Sequence, residues 1–171
     1  MKAAKEKTKL ILVCGLPGTG KTTVAEAIAA KTKAYVLSTD VIRKEIIDKP
    51  EYSEKEKELV YNLIFGMAQQ MLGSSKSVLV DGTFYRKDLR DNVREIADAM
   101  KSEFIVVEVV CDESVIRKRL DRRCKTCCTS DADFSVYQKL KKSFEPIKEK
   151  HFTIDTSSEW KKEIDALIKK L

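Results

Sequence analysis

The segment GLPGTGKTT, residues 15 to 23, has the residue types and spacing that bind a polyphosphate. It matches the pattern G-x-x-x-x-G-K-[ST] without a mismatch and lies between the apolar run LILVC and the helical sequence VAEAIAAK. Small residues let backbone amides at a helix start surround phosphate groups. We expect Lys21 to reach the β and γ phosphates of ATP and the Thr22 hydroxyl to ligate Mg²⁺. The residues expected to contact the nucleotide are Gly15, Leu16, Pro17, Gly18, Thr19, Gly20, Lys21, Thr22 and Thr23.

A second candidate group is STDVIRKE, residues 38 to 45, which follows an apolar run. If that run is a strand of an open parallel sheet, Asp40 lies near the phosphate loop, because ligands bind beyond the carboxyl ends of such strands. Its carboxylate could accept the proton of an attacking hydroxyl. Arg43, on the same helical face, could hold a phosphate or carboxylate of the acceptor. Alternatively, Asp40 is the N-cap of a helix that begins at Val41, and the spacing leaves both roles open.

The third candidate segment is SVLVDGTFYRKDLR, residues 77 to 90. Its apolar run ends in Asp81, where a carboxylate would hold Mg²⁺ directly or through water. Thr83 and Arg86 follow closely and are candidates for binding the acceptor. For Thr83 the alternative is a capping role for the helix that carries Arg86 and Arg90.

The fourth segment, VIRKRLDRRCK, contains six basic residues in eleven. Arg119 and Arg123 are four residues apart and share a helical face. Guanidinium groups closing over a triphosphate would neutralise developing charge and exclude water, as a lid does. The same sequence also fits a solvated amphipathic helix, with Ile116 and Leu120 facing inward.

The scaffold that would bring these segments together alternates between strand-like and helix-like sequence. Runs of strand type occupy residues 9–14, 34–39, 77–82, 104–110 and 151–156, and stretches of helical period occupy 21–31, 41–48, 53–72, 86–100, 113–123, 132–147 and 158–171. Such alternation predicts an α/β fold, a five-stranded parallel sheet with helices on both faces. Because no repeat or linker-like tract divides the sequence, we expect a single domain over residues 1–171.

Together these segments resemble the small P-loop kinases related to polynucleotide kinase, zeta-toxin-type kinases, chloramphenicol phosphotransferase and gluconate kinase. The resemblance implies a three-layer P-loop NTPase fold with a small helical lid at about 117–133 and an acceptor-side insertion at about 44–73. It also implies that Asp40 activates the acceptor hydroxyl, that Arg43 contacts the acceptor's phosphate, and that Arg119 and Arg123 are the lid arginines. The acceptor itself does not follow, because such relatives phosphorylate sugars, antibiotics, nucleotide sugars or nucleic acid ends.

Charge and size leave several functions open. The net charge of +6 and the pI of about 9.0 favour anionic partners. A nucleic acid 5′-hydroxyl or a nucleotide suits the charge, whereas a small metabolite suits the short chain. The five-residue apolar run near the start is too short for a membrane span or a signal peptide, so we expect a cytoplasmic protein without a membrane partner.

A nucleotide-driven switch or motor is the alternative from another functional class. It is disfavoured because the sequence contains no N-K-x-D guanine motif. A binding module without catalytic activity is disfavoured by the presence of Lys21, Thr22, Asp40 and Asp81.

Three of the five cysteines, Cys124, Cys127 and Cys128, form the segment CKTCC at the expected lid. A structural zinc ion needs four ligands. Asp131 or Asp133 could contribute one, but no second C-x-x-C follows, so free or reversibly oxidised thiols are favoured over zinc. The other two cysteines, Cys14 and Cys111, are expected to be small core residues.

Aromatic residues in the 44–73 insertion have two possible roles. Tyr52, Tyr61 and Phe65 could stack on an acceptor base or sugar. At helical spacing, however, Leu59, Leu63 and Phe65 are favoured as core residues.

Overall fold

Five parallel strands form the central layer of the protein. The structure, a computed structural model, describes residues 7–123 and 132–171. The strands are β1 (Lys9–Cys14), β2 (Tyr35–Ser38), β3 (Val78–Asp81), β4 (Glu103–Val110) and β5 (Phe152–Asp155). They pair in the order β2-β3-β1-β4-β5, so the glycine-rich loop leaves the central strand. The loop and the segments after the other strands therefore meet at one edge of the sheet.

Helices cover both faces of this sheet. They are α1 (Lys21–Thr32), α2 (Thr39–Ile46), α3 (Glu54–Gly73), α4 (Lys87–Ala99), α5 (Glu113–Arg123), α6 (Phe134–Ser143) and α7 (Lys161–Ile168). Because side chains alternate along a strand, Leu10 and Leu12 of β1 pack under α3 and α4, whereas Ile11 and Val13 pack under α1 and α7. The predicted three-layer α/β fold with a five-stranded parallel sheet is confirmed.

Helix boundaries differ from the sequence-based expectation by two residues or more in α2, α6 and α7. We expected one helix over 132–147, but α6 ends at Ser143. Pro146 cannot continue a helix, and the backbone before it is held elsewhere, because the Glu145 N–H donates to the Tyr85 carbonyl over 2.8 Å. At the other end of the chain, α7 begins at Lys161, whereas the helical pattern started at residue 158.

The segment after α6 is fastened to α4 by Arg90, whose side chain is only 1% exposed. Its guanidinium donates to the carbonyls of Phe84 (2.9 Å) and Glu145 (3.0 Å). The Glu149 carboxylate lies 3.8 Å from its Nε. Arg90 thus joins the loop after β3 to the segment that precedes β5.

Helix α3 orients its apolar residues differently from the prediction. Val60, Ile64, Ala68 and Leu72 are buried. Leu59 and Leu63 are exposed, so their assignment to the core is wrong, whereas Phe65 packs at the edge of the core.

Among residues 7–123 and 132–171, no helix has both the length and the apolar character that crossing a membrane requires.

Candidate active site

The glycine-rich loop between β1 and α1 has a backbone conformation that depends on glycine. Gly15 has φ of 148°, and a Cβ there would lie 2.3 Å from the Val109 carbonyl oxygen. Gly20 is the N-cap of α1 with φ of 88°, which is a left-handed conformation. The loop therefore directs backbone amides and the helix N-terminus toward one concave surface, which suits phosphate groups.

Three side chains beside this loop form a compact polar group. The Lys21 ammonium donates to the Leu16 carbonyl over 2.9 Å, and so lies across the loop. The Thr22 hydroxyl donates to Oδ2 of Asp81 over 2.9 Å, which joins α1 to the end of β3. Asp81 is 2% exposed, and its Oδ1 has no hydrogen-bond partner among the described residues. Burial raises the pKa of Asp81, while the nearby Lys21 charge acts in the opposite direction.

This oxygen set fits a magnesium ion. Mg²⁺ prefers hard oxygen ligands and is commonly held by one or two protein groups together with substrate phosphates. Asp81 offers a buried carboxylate oxygen that lacks a partner in the described part of the chain, next to the Thr22 hydroxyl. The two residues predicted to hold the metal are therefore adjacent in the fold.

Asp40 lies beside this group but is not a helix cap. Helix α2 begins at Thr39 with Ser38 at the N-cap, so Asp40 lies in the first turn, and the capping alternative is wrong. Asp40 lines the small phosphate-side pocket of about 40 Å³. It also lines a larger cavity of about 380 Å³. The two spaces also share Lys21 and Thr83, so they form one continuous site.

The larger cavity is enclosed by α2, α3, α6, the segment before α3 and the loops after β1 and β3. Its most unusual wall residue is Arg43, which is 6% exposed. Arg43 Nε and Nη1 are buried without a hydrogen-bond partner in the described segments. The guanidinium carbon lies 4.8 Å from the ring centre of Tyr52. A buried guanidinium with two unused donors is suited to an anionic ligand.

Aromatic and α6 side chains complete this cavity. Tyr61 packs edge-on against Phe84, with ring centres 5.1 Å apart, and it also lines the cavity, where its role in binding an acceptor remains a prediction. Burial raises the pKa of Tyr61, which keeps its phenol neutral. Tyr85 and Lys139 also line the cavity, but the sequence patterns did not indicate them. Lys139 reaches the cavity because α6 packs across the site, and Tyr85 reaches it from the loop after β3; no local motif indicates either placement.

Arg119 of α5 lies over the glycine-rich loop. Its Nη1 donates to the Gly18 carbonyl (3.3 Å) and to the Thr156 hydroxyl (2.8 Å), and its Nη2 donates to the Thr156 carbonyl (2.8 Å). Helix α5 therefore contacts the glycine-rich loop through Arg119, so the alternative of a purely solvated amphipathic helix does not describe it. The side chain of Arg123, the second predicted lid arginine, lies outside the described residues.

The two remaining candidates for acceptor binding lie in different places. Thr83 lines both parts of the site and is not a helix cap, because the N-cap of α4 is Arg86. Arg86 is exposed and pairs with Asp88, and Nε lies 2.9 Å from Oδ1. It lines a cavity of about 440 Å³ between α3 and α4, which shares Lys57, Tyr61 and Tyr85 with the larger cavity but is not lined by Asp40. The structure therefore brings Thr83, but not Arg86, to Asp40.

The cysteine-rich segment 124–128 lies outside the described residues, and so does the zinc site considered for it. The Asp133 carboxylate accepts from the Val136 N–H over 2.9 Å and so caps α6. Among residues 7–123 and 132–171 there is no cluster of three or more potential metal-binding His, Cys, Asp or Glu side chains. Cys14 is buried, and burial raises the pKa of its thiol to about 12. Cys111 is half-buried and lies 3.4 Å from Nη1 of Arg119.

The sheet order, the glycine-rich loop and the Thr22–Asp81 pair define a P-loop protein with the fold of the small kinases. The chain belongs to the AAA_33 family, described as an AAA domain, which it matches over residues 10–147. This agrees with the resemblance to small P-loop kinases described above.

Curated relatives of this chain are longer proteins. Uncharacterised proteins of Mycobacterium tuberculosis (strain ATCC 25618 / H37Rv) and Mycobacterium bovis are 32% identical over 127 residues, which cover 64% of this chain and 26% of each relative. This chain thus spans about a quarter of the length of the curated relatives that it matches.

Solved structures share the fold at low identity. Chaetomium thermophilum Kti12, solved with ADP-AlF3, superposes with a TM-score of 0.74 at 20% identity, over 94% of this chain and 96% of that one. For the gluconokinase of Sinorhizobium meliloti 1021 the TM-score is 0.69 at 21% identity, over 98% and 94%. For the Mycobacterium tuberculosis APS kinase CysC, solved with AMPPNP and APS, it is 0.70 at 16% identity, over 95% and 96%. At these identities the likeness establishes the fold.

Proposed function

We propose that the protein is an ATP-dependent phosphotransferase that moves the γ-phosphate of ATP to a hydroxyl group. One observation carries this proposal: Asp40 lies on the wall common to the phosphate-side pocket and the larger cavity. A carboxylate in that position can contact a hydroxyl in the larger cavity and face the phosphate loop at the same time.

Each neighbouring side chain then has a defined task. Thr22 and Asp81 would hold Mg²⁺, which would supply positive charge to neutralise part of the negative charge of the phosphates. Lys21 would leave the Leu16 carbonyl and contact the β and γ phosphates. Asp40 would orient the acceptor hydroxyl and take its proton as the new O–P bond forms. The bond between the γ-phosphorus and the bridging oxygen would break at the same time, and ADP would leave with that oxygen. Arg119, together with Arg123, would stabilise the charge on the transferring group.

The acceptor proposed here carries an anionic group as well as the hydroxyl. The buried donors of Arg43 support this, because an anion would neutralise a cation that is otherwise shielded from water. Tyr61 and Tyr85 offer neutral aromatic surface beside it. A terminal nucleotide of a nucleic acid and a small phosphorylated or carboxylated metabolite both have this chemistry.

The test is to follow γ-labelled phosphate from ATP in the presence of Mg²⁺. The panel contains 5′-hydroxyl DNA and RNA oligomers, nucleosides, nucleotides, sugars, sugar phosphates and hydroxy acids. We expect label on acceptors that carry an anion and little on their neutral counterparts. Label on neutral sugars alone would overturn the anionic-acceptor proposal, and label only in free phosphate would favour a nucleotide-hydrolysing switch instead.

Three variants test the roles proposed for Asp40 and Arg43. Asp40→Asn keeps the shape of the side chain but removes the base, so transfer should fall at least about 100-fold while ATP affinity stays close to wild type. Asp48→Asn, an exposed position near the same helix, is the matched control and should leave both unchanged. Arg43→Met should raise the KM for the acceptor and leave the KM for ATP unchanged. Equal transfer by Asp40→Asn and wild type would contradict the assigned base.

A further inference from the structure

We propose that Thr156 is a positioning residue, which holds Arg119 over the glycine-rich loop before the nucleotide binds. Thr156 is the residue that follows β5 and is 4% exposed. This inference rests on the proposed function, since it assumes that Arg119 acts on the phosphates.

The Thr156 side chain lies between the loop and the arginine. Its hydroxyl donates to the Thr19 carbonyl over 2.6 Å. The same oxygen accepts from Nη1 of Arg119 over 2.8 Å, and the Thr156 carbonyl accepts from Nη2 over 2.8 Å. One residue therefore binds both terminal nitrogens of the guanidinium and also contacts the phosphate loop.

The direction of these bonds is fixed by chemistry. A guanidinium only donates, so the Thr156 hydroxyl must accept from Arg119. Its single proton goes to the Thr19 carbonyl at 2.6 Å in preference to the Val110 carbonyl at 3.5 Å. Each bond thereby favours the other, because a hydroxyl that donates to Thr19 has its lone pairs free to accept from Arg119. A buried network of this kind holds one arrangement when all its members are satisfied.

Electrostatics explain why the arginine needs such support. A Cβ on Gly20, the N-cap of α1, would lie 3.5 Å from Nη1 of Arg119, so the cation lies beside the helix N-terminus. The positive end of the helix dipole disfavours a cation there when no anion is present. The acceptors offered by Thr156 and by the Gly18 carbonyl offset this repulsion. The arginine thus occupies a place where a phosphate group would be attracted to both the helix and the guanidinium.

The experiment is a double-mutant cycle on Thr156→Val and Arg119→Met. Valine keeps the shape of threonine but can neither donate to Thr19 nor accept from Arg119. Affinities for ATP and ADP are measured by calorimetry with Mg²⁺, and turnover is measured with an acceptor identified by the labelling panel. Thr153→Val, the same substitution at an exposed position of β5, is the control.

We expect Thr156→Val to weaken ATP binding or turnover about 10-fold, the effect of losing one charge-assisted hydrogen bond. Thr156→Ser should restore the wild-type value. In the Arg119→Met background, Thr156→Val should cause little further loss, because its effect passes through the arginine. Equal losses in both backgrounds would overturn the proposal and indicate a role confined to the loop, and so would wild-type behaviour of Thr156→Val.

The outcomes separate this inference from the kinase proposal. If ATP binds but no acceptor is labelled, the kinase proposal fails, while the affinity cycle still decides the role of Thr156. If transfer occurs and the cycle is additive, only the role of Thr156 is contradicted. If the wild-type protein binds no nucleotide, both are overturned.

Discussion

Asp81 shows, at the scale of one residue, how a binding group can oppose folding. Its carboxylate is buried, and Oδ1 has no hydrogen-bond partner in the described segments. Burial raises its pKa, so the charged form is less favourable in the folded protein than in the unfolded chain. At acidic pH the carboxyl is protonated in both states, and its contribution to the free energy of unfolding is fully present. That contribution is lost as pH rises through the folded-state pKa.

We predict that Asp81→Asn stabilises the nucleotide-free protein near neutral pH. The asparagine oxygen can still accept from Thr22, but no charge is buried, so the melting temperature should rise by about 2 to 4 °C, equivalent to about 1 kcal/mol. The difference from wild type should shrink as pH falls, because the wild-type carboxyl then becomes protonated. Calorimetry across pH tests this, and a lower melting temperature for Asp81→Asn at neutral pH would contradict it.

Residue positions differ in how far the sequence could predict them. The neighbourhood of Lys21, Asp40 and Asp81 could be predicted, because each follows or lies near the carboxyl end of a strand in one parallel sheet. Their chemical roles remain predictions. The link between Thr156 and Arg119 joins residues 37 positions apart through the tertiary packing of α5 and β5, so no local pattern contains it.

At the scale of secondary structure, the strands could be predicted more closely than the helix ends. All five strands lie within one residue of the expected runs, because buried parallel strands are apolar and β-branched. The end of α6 depends on Pro146, which the local sequence contains, and also on Arg90, which binds the Glu145 carbonyl 55 residues away in sequence. The helix propensity of residues 132–147 does not indicate the contact between Glu145 and Arg90.

We predict that this arginine connection contributes strongly to stability. Arg90→Met leaves the Glu145 carbonyl and the Glu149 carboxylate without a buried cation, so the free energy of unfolding should fall by about 3 kcal/mol. Lysine at position 90 should not restore it, since one ammonium cannot reproduce the planar set of donors. Urea denaturation measures both effects.

The control for this prediction lies on the same helix. Arg94 is 41% exposed and lies 4.0 Å from Glu149. Because exposed ion pairs contribute little, Arg94→Met should lower the free energy of unfolding by less than about 1 kcal/mol. Equal losses at positions 90 and 94 would show that burial of Arg90 is not the cause.

At the scale of the whole molecule, the edge of the sheet at which the strands end is the organising feature. The loop after β1, Asp40 after β2, Asp81 at the end of β3 and Thr156 after β5 all lie at this edge. A ligand that fills the site would therefore hold several elements in place at once, and its binding would be linked to global unfolding.

We predict that Mg·ATP raises the melting temperature of the protein. At a concentration about 100 times the Kd, linkage gives about 2.7 kcal/mol, or a shift of roughly 5 to 10 °C for a chain of this size. Lys21→Met should remove most of the shift, because the phosphates lose their main cation. Lys31→Met, in the same helix but paired with Asp165 away from the loop, should retain it. Equal shifts for both variants would contradict the assigned phosphate site.

The strand order also has a consequence for the synthesis of the protein. The strand made first, β1, becomes the centre of the sheet, and its partners are β3 and β4, so Leu10 pairs with Val78 and Phe104. At roughly 5 to 20 residues per second, a ribosome needs roughly 3 to 14 seconds after Leu10 to add Val78. During that interval the apolar segment LILVC has no sheet to join, which makes it a natural binding site for chaperones on the nascent chain.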